Sequence, residues 1–233
     1  MKEVRMTLST RTKAVYNRIG QAPRMGDLRK IAKEIKKNHN LALELWSTGE
    51  YYPRLLAILI LDKKLLTQDV IDKLAAEIQG HEYKERNQLA DWLLANQLTK
   101  DKQTITLMET WEHAASPVLR RIFWFYQGRL RWSSKAPPDN APELLDSLEK
   151  DMRGAEREVQ WMMNFAAAQI GIHEPAYRAR CIALGEQFGL FMDEPVPKGC
   201  TSPYLPAWID TEVEKLSNKK LLWVTLTKKK RVE

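Results

Sequence analysis

LRKIAKEIKKNHNLALELW, residues 28–46, sets Leu28, Ile31, Ala32 and Ile35, and again Ala42, Leu45 and Trp46, three and four residues apart. An α-helix turns once in about 3.6 residues, so this spacing gathers the apolar side chains on one helical face. The same rhythm returns in residues 52–66 (YPRLLAILILDKKLL), 68–78, 85–98, 104–115 and 157–171, and no set of alternating strand patterns competes with it. The expected fold class is therefore all-α. Helix starts are marked chemically where Ser116 precedes Pro117 and Glu174 precedes Pro175, a capping side chain followed by a proline whose missing N–H costs a first turn nothing.

Overlaying these segments brings out a weak repeat. Arg54, Arg86, Arg120 and Arg157 each stand near the start of a helix, at spacings of 32, 34 and 37 residues. Helix pairs of that length cannot bury their apolar faces alone and stack into a curved, superhelical solenoid with a concave surface. The recurrent arginines would line one edge or face of it; chance placement is the competing reading. Two stretches break the rhythm. Residues 133–145 carry Pro137, Pro138 and Pro142 and read as a surface loop, and residues 192–209 hold four prolines beside Tyr204 and Trp208. The expected organisation is one repeat domain over residues 1–212, then a C-terminal helical piece and basic tail over residues 213–233, disordered at its very end.

Composition narrows function mainly by exclusion. No stretch has the roughly 18 uncharged apolar residues of a membrane span, and no apolar segment follows the basic start as a secretory signal requires. Two isolated cysteines, Cys181 and Cys200, fit a reducing compartment, so a cytoplasmic protein is expected. Four histidines, His39, His81, His113 and His173, are scattered without metal-ligand spacing, and neither a phosphate-cradling glycine loop nor a nucleophile elbow occurs. No metal and no cofactor is expected. The net charge of +7 is uneven: residues 1–37 hold eleven Lys/Arg against three acids, and Lys228, Lys229, Lys230 and Arg231 form a second basic cluster. Such ends are either solvated lysines or a surface for a polyanion. Eight tryptophans, including Trp46, Trp92, Trp111, Trp124, Trp132 and Trp161, are most simply core residues, though exposed ones can stack on bases.

Residues 23–35 (PRMGDLRKIAKEI) and 41–61 (LALELWSTGEYYPRLLAILIL) resemble the opening repeats of the AlkD-type alkylpurine DNA glycosylases. The similarity continues through residues 116–127 (SPVLRRIFWFYQ) and 158–171 (EVQWMMNFAAAQIG) and covers roughly residues 20–190. It implies a HEAT-like superhelix with a basic concave face, acting on alkylated duplex DNA as a monomer and capturing the lesion without drawing the base into a deep pocket. The family's cleft uses a tryptophan and an aspartate in one run, an arginine from a second, and another tryptophan from a third. Here these correspond to Asn87, Asp91, Arg121 (preceded by Arg120) and Phe165, so the first aromatic wall is lost and the second is reduced.

The resemblance implies that Asp91 would stabilise an oxocarbenium-like sugar and place a water while a cationic base such as 3-methyladenine or 7-methylguanine departs. Arg121 would hold a phosphate, Phe165 would touch the deoxyribose, and Arg120, Arg54 and Lys30 would be further DNA contacts. Two other readings stay open: a non-catalytic DNA-structure-binding protein that grips phosphates alone, and a helical scaffold for protein partners.

Overall fold

The computed structural model describes residues 8–21, 23–134 and 136–229, the last eleven of these as backbone alone. Twelve α-helices are described: α1 (Thr10–Ile19), α2 (Met25–Ile35), α3 (His39–Trp46), α4 (Tyr51–Ile60), α5 (Gln68–Gln79), α6 (Tyr83–Asn96), α7 (Lys102–Met108), α8 (Pro117–Ser133), α9 (Ala141–Asp151), α10 (Arg157–His173), α11 (Arg178–Phe188) and α12 (Leu205–Lys229). Short 3-10 turns join several of them, and no strand occurs among the described residues. The chain divides into two compact units, Met1–Phe123 and Trp124–Glu233, the division falling within α8.

Local chemistry explains where the helices stop. The periodic stretch 28–46, which reads as one helix, is two. Lys36 takes φ 61° after donating to the Ala32 carbonyl, and Asn38 then accepts from the Leu41 N–H at 3.2 Å as the N-cap of α3. Ser9, Thr67 and Asp101 cap α1, α5 and α7 in the same way. The stretch 104–115 is helical only to Met108 and continues as turns. Between α8 and α9 the proline-rich loop is confined to residues 134–140, shorter than its composition suggests. In the later proline-rich stretch, Pro206 sits in the first turn of α12, where it has no helical hydrogen bond to lose, so the helix opens at Leu205. It then runs on through the segment read as a short piece and a tail; residues 230–233, with the expected disordered end, lie outside the described residues, as do the side chains of the second basic cluster.

In the first unit α3 packs on α4, α2 and α6 on α4, and α5 on α6. A four-residue link, 47–50, forces α4 to fold back along α3. Their shared core is aliphatic: Leu28, Leu45, Leu55, Leu56, Ile58, Ile60, Ile71, Ile78, Leu89 and Leu93 are fully buried. Each contributes about 1.5–3 kcal/mol by leaving water. The second unit packs α10, α11 and α12 mutually, with α9 against α10.

Glycines set the approach of these last helices. A Cβ on Gly185 would lie 2.5 Å from Pro206 Cδ and 2.8 Å from Leu205 Cβ, and one on Gly171 would lie 2.6 Å from Ile209 Cδ1. Arg131, whose side chain is fully buried, ties the same unit together. It donates from Nε to Glu174 at 3.0 Å and from Nη2 to Asn140 at 2.6 Å, joining α8 to the start of α9 and the end of α10. Burial, the larger influence, lowers its pKa, and the Glu174 carboxylate opposes that.

Two outcomes follow from this packing. Gly185→Ala should lower the melting temperature by a few degrees in thermal unfolding, because overpacking costs about 1–3 kcal/mol against a gain of at most about 1 kcal/mol from helix propensity. In thiol titration of the native protein only exposed Cys200 should react quickly, because burial pushes the Cys181 thiol up to about 12. Cys181 should appear only on unfolding.

Candidate functional site

On α6, buried Leu89, Ala90, Leu93 and Leu94 face the core and leave Asp91 at the boundary, its side chain 36% exposed. On α8, Val118, Leu119 and Ile122 are buried in the same way, and Arg121 goes under with them, its side chain only 4% exposed. Nη2 of Arg121 donates to both Asp91 oxygens, at 2.7 and 2.9 Å. A guanidinium cannot shed its proton, so taking it out of water demands a fixed counter-charge. Asp91 supplies that charge and is in turn held ionised and oriented, with a third of its surface open to a reactant. One helical turn earlier Asn87 sits on the same face, half-buried, and its Oδ1 is buried without a hydrogen-bond partner.

The sequence reading thus brings Asp91, Asn87 and Arg121 together in the first unit. It does not foresee that Arg121 turns inward to the carboxylate. Phe165 belongs to the second unit, where it is half-buried among aromatic rings. Phe125 lies 5.4 Å away edge-on and Trp208 6.1 Å away, while Gly128 leaves room for it: a Cβ there would fall 2.6 Å from the Phe165 ring.

The repeating arginines have a structural task. Arg54 is buried. It donates from Nε to the Trp46 carbonyl at the end of α3, from Nη1 to the Glu77 carbonyl near the end of α5, and from Nη2 to the Glu77 carboxylate at 2.6 Å. Arg86 donates to the Gln79 carbonyl at 3.3 Å, and Arg120 to the Ala114 and Ala115 carbonyls in the turn before α8. Helix ends leave carbonyls without intrahelical partners and carry partial negative charge, which a guanidinium satisfies. Arg157 departs from the pattern, pairing at the surface with Glu194 at 2.7 Å. Arg178, which its sequence position does not single out, takes the fourth capping role, donating to Gly171 and Ile172 at the end of α10.

Lys30 differs from these arginines. Its side chain is 79% exposed, with only Asp27 nearby at 3.6 Å. Lys33 and Lys36 are exposed on the same helix and at its end. Of the tryptophans named from sequence, Trp46, Trp111 and Trp124 are buried and Trp132 is 53% exposed. Trp92 donates to the Leu55 carbonyl at 3.0 Å and lies under the Arg29 guanidinium at 4.5 Å. No helix among the described residues is long and apolar enough to cross a membrane, and no group of three or more metal-ligating side chains occurs among them.

Comparison with known proteins now bears on this geometry. A family model described as DNA alkylation repair enzyme matches residues 22–184. A solved structure described as "A new family of proteins related to the HEAT-like repeat DNA glycosylases with affinity for branched DNA structures" superposes with a TM-score of 0.61 at 20% sequence identity, covering 91% of this chain and 89% of that one. The fold is accordingly that of the HEAT-like repeat proteins. No curated protein matches the chain.

Replacing the Asp91 carboxylate withdraws a charged acceptor from the buried Arg121 guanidinium. Asp91→Asn should cost about 1–2 kcal/mol in urea unfolding, below the roughly 3–5 kcal/mol of a wholly buried pair because Asp91 is partly in water. The double variant Asp91→Leu with Arg121→Met should lose less than the sum of the two singles.

Proposed function

The chain belongs to the DNA alkylation repair enzyme family, and from that premise we propose that it binds duplex DNA and hydrolyses the N-glycosidic bond of cationic alkylated purines, 3-methyladenine and 7-methylguanine among them. One observation carries this reading: buried Arg121 donates to both oxygens of Asp91, whose side chain stays 36% exposed.

An alkylated purine already bears the positive charge that other bases acquire only by protonation. Its bond to C1′ breaks with the electron pair leaving on the base, which departs neutral. The charge passes to an oxocarbenium-like sugar. A carboxylate fixed beside that sugar stabilises it and accepts the proton of the water that adds to C1′. In this reading Asp91 is the catalytic residue and Arg121 a positioning residue, in place of a phosphate contact. Asn87 flanks the carboxylate one helical turn away on α6. Phosphates fall to exposed cations, Lys30 and Lys33 first, since Arg54 and Arg120 are occupied with carbonyls.

Asn87 favours a second reading. Where the resemblance places a tryptophan wall, this chain has a short amide, and the protein of similar fold is described by affinity for branched DNA. A HEAT-like protein that grips junctions through phosphates and cleaves nothing fits that substitution.

One experiment separates the two. Methylated duplex DNA incubated with the protein should release methylated purines, and Asp91→Asn should reduce the rate at least about a hundredfold while the protein remains folded. Absence of release from folded wild type, together with tighter binding of a four-way junction than of duplex, would establish the second reading instead. In either case the Lys30→Ala, Lys33→Ala pair should lower the slope of log affinity against log salt by about two.

A further inference from the structure

A cavity lies in the first unit, its lining including neither Asp91 nor Arg121. It has a volume of about 620 Å³ and is built from the end of α1, the turn before α4 and the start of α6. That volume is within the range of small-molecule sites, roughly 300–1,000 Å³. Three phenols wall it, Tyr16, Tyr51 and Tyr52, all half-buried, with the Tyr51 and Tyr52 rings 4.9 Å apart. Gly20 and Gly49, at φ 74° and 76°, leave its edge bare: a Cβ on either would meet nothing within 4 Å.

Its charge is opposite to that of the chain. In a protein of net charge +7, the described residues lining this cavity include no lysine or arginine, and two carboxylates, Glu50 and Glu85. Tyr16 donates its hydroxyl to Glu50 at 2.7 Å. A guanidinium only donates, so the 2.8 Å contact with Arg54 makes His81 Nε2 an acceptor, which puts the ring proton on Nδ1, aimed at Glu85 at 2.9 Å. Arg54 itself lies behind the histidine and is balanced by Glu77 at 2.6 Å. The phenols register the surrounding negative charge. Tyr16 is raised by its bond to Glu50, and Tyr51 is pushed up to about 12 by burial first and then by Tyr52 and Glu85.

Aromatic rings and carboxylates lining one open cavity attract a cation, and favour one whose charge is spread and weakly hydrated over a compact ammonium. The carboxylates at the same time repel phosphate. We propose that the Tyr16–Tyr51–Tyr52 pocket, with Glu50 and Glu85, binds a flat organic cation of purine size, an N-methylated purinium ring being the ligand class. Such a ring can arrive as a free nucleoside or carried in a DNA strand.

Because Asp91 does not line the pocket, binding here is independent of bond cleavage. The test uses 7-methylguanosine and guanosine at about pH 6, with binding followed by calorimetry and by tyrosine ring shifts in NMR. The full chain should bind the methylated nucleoside at least about tenfold more tightly than guanosine, a charge difference of the size cation–π and carboxylate contacts provide. Ring signals of Tyr16, Tyr51 and Tyr52 should move. Glu50→Gln with Glu85→Gln should abolish that preference, whereas Asp91→Asn should keep it, so failure of the cleavage reading leaves this result untouched. A single-stranded oligonucleotide carrying the same base forms the other arm, and whichever source binds is the ligand's form. Equal binding of guanosine, binding by neither source, or shifts confined to residues outside the pocket in wild type would overturn the inference.

Discussion

Short helices laid in succession end every few residues on carbonyls that have no partner in their own helix, and this fold supplies those partners with arginine. Arg54, Arg86, Arg120 and Arg178 each reach back from one helix to the carbonyls that end another helix or its following turn. Each contact satisfies an acceptor that would otherwise be desolvated alone, and places positive charge at the negative end of a helix. Arg54 goes furthest, joining α3, α4 and α5 through one buried guanidinium. Arg131 does the equivalent in the second unit through side-chain partners. The aliphatic core supplies most of the driving force for folding, but it is non-directional. The guanidiniums add direction, because their donors are fixed in a plane.

This use of arginine changes how the protein's charge is to be read. Several of its positive charges are internal fittings. Exposed positive charge is carried elsewhere, on α2 by Arg29, Lys30 and Lys33. Arg121 belongs with the internal group, and like Arg54 with Glu77 it pairs with a carboxylate that reaches the surface; at Asp91 both oxygens accept from the one guanidinium nitrogen. A carboxylate anchored from beneath by a buried cation keeps both its charge and its direction. The tyrosine-lined pocket shows the complementary case, in which carboxylates stand near phenols and the nearest guanidinium is already balanced.

The helical class was legible because the apolar positions of residues such as Leu28, Ile31, Leu55 and Leu89 repeat with the helix period, and burial depends on little else. Capping was less legible: Glu174 before Pro175, read as a helix start, opens a 3-10 turn without a side-chain cap bond, whereas Ser9, Asn38, Thr67 and Asp101, which the apolar rhythm does not mark, cap α1, α3, α5 and α7. The arginine period was visible too, although a spacing near 34 residues says only that something recurs. That Arg54, Arg120 and Arg178 bond carbonyls, and that Arg157 pairs with Glu194, depends on which groups the packed helices bring within reach.

The break at Lys36 sits between these cases. Its helical neighbours continue the apolar rhythm, and only the competition between that rhythm and the Asn38 cap decides where α2 stops. The sequence alone therefore determined the all-helical class, the family resemblance and the candidacy of Asp91, because those properties are local or follow from order along the chain. Tertiary structure alone decided that Arg121 faces Asp91 and that Tyr16, Tyr51, Tyr52, Glu50 and Glu85 enclose one cavity. Those relations join side chains up to about seventy positions apart, and no residue's own chemistry specifies which distant partner the folded chain will set beside it.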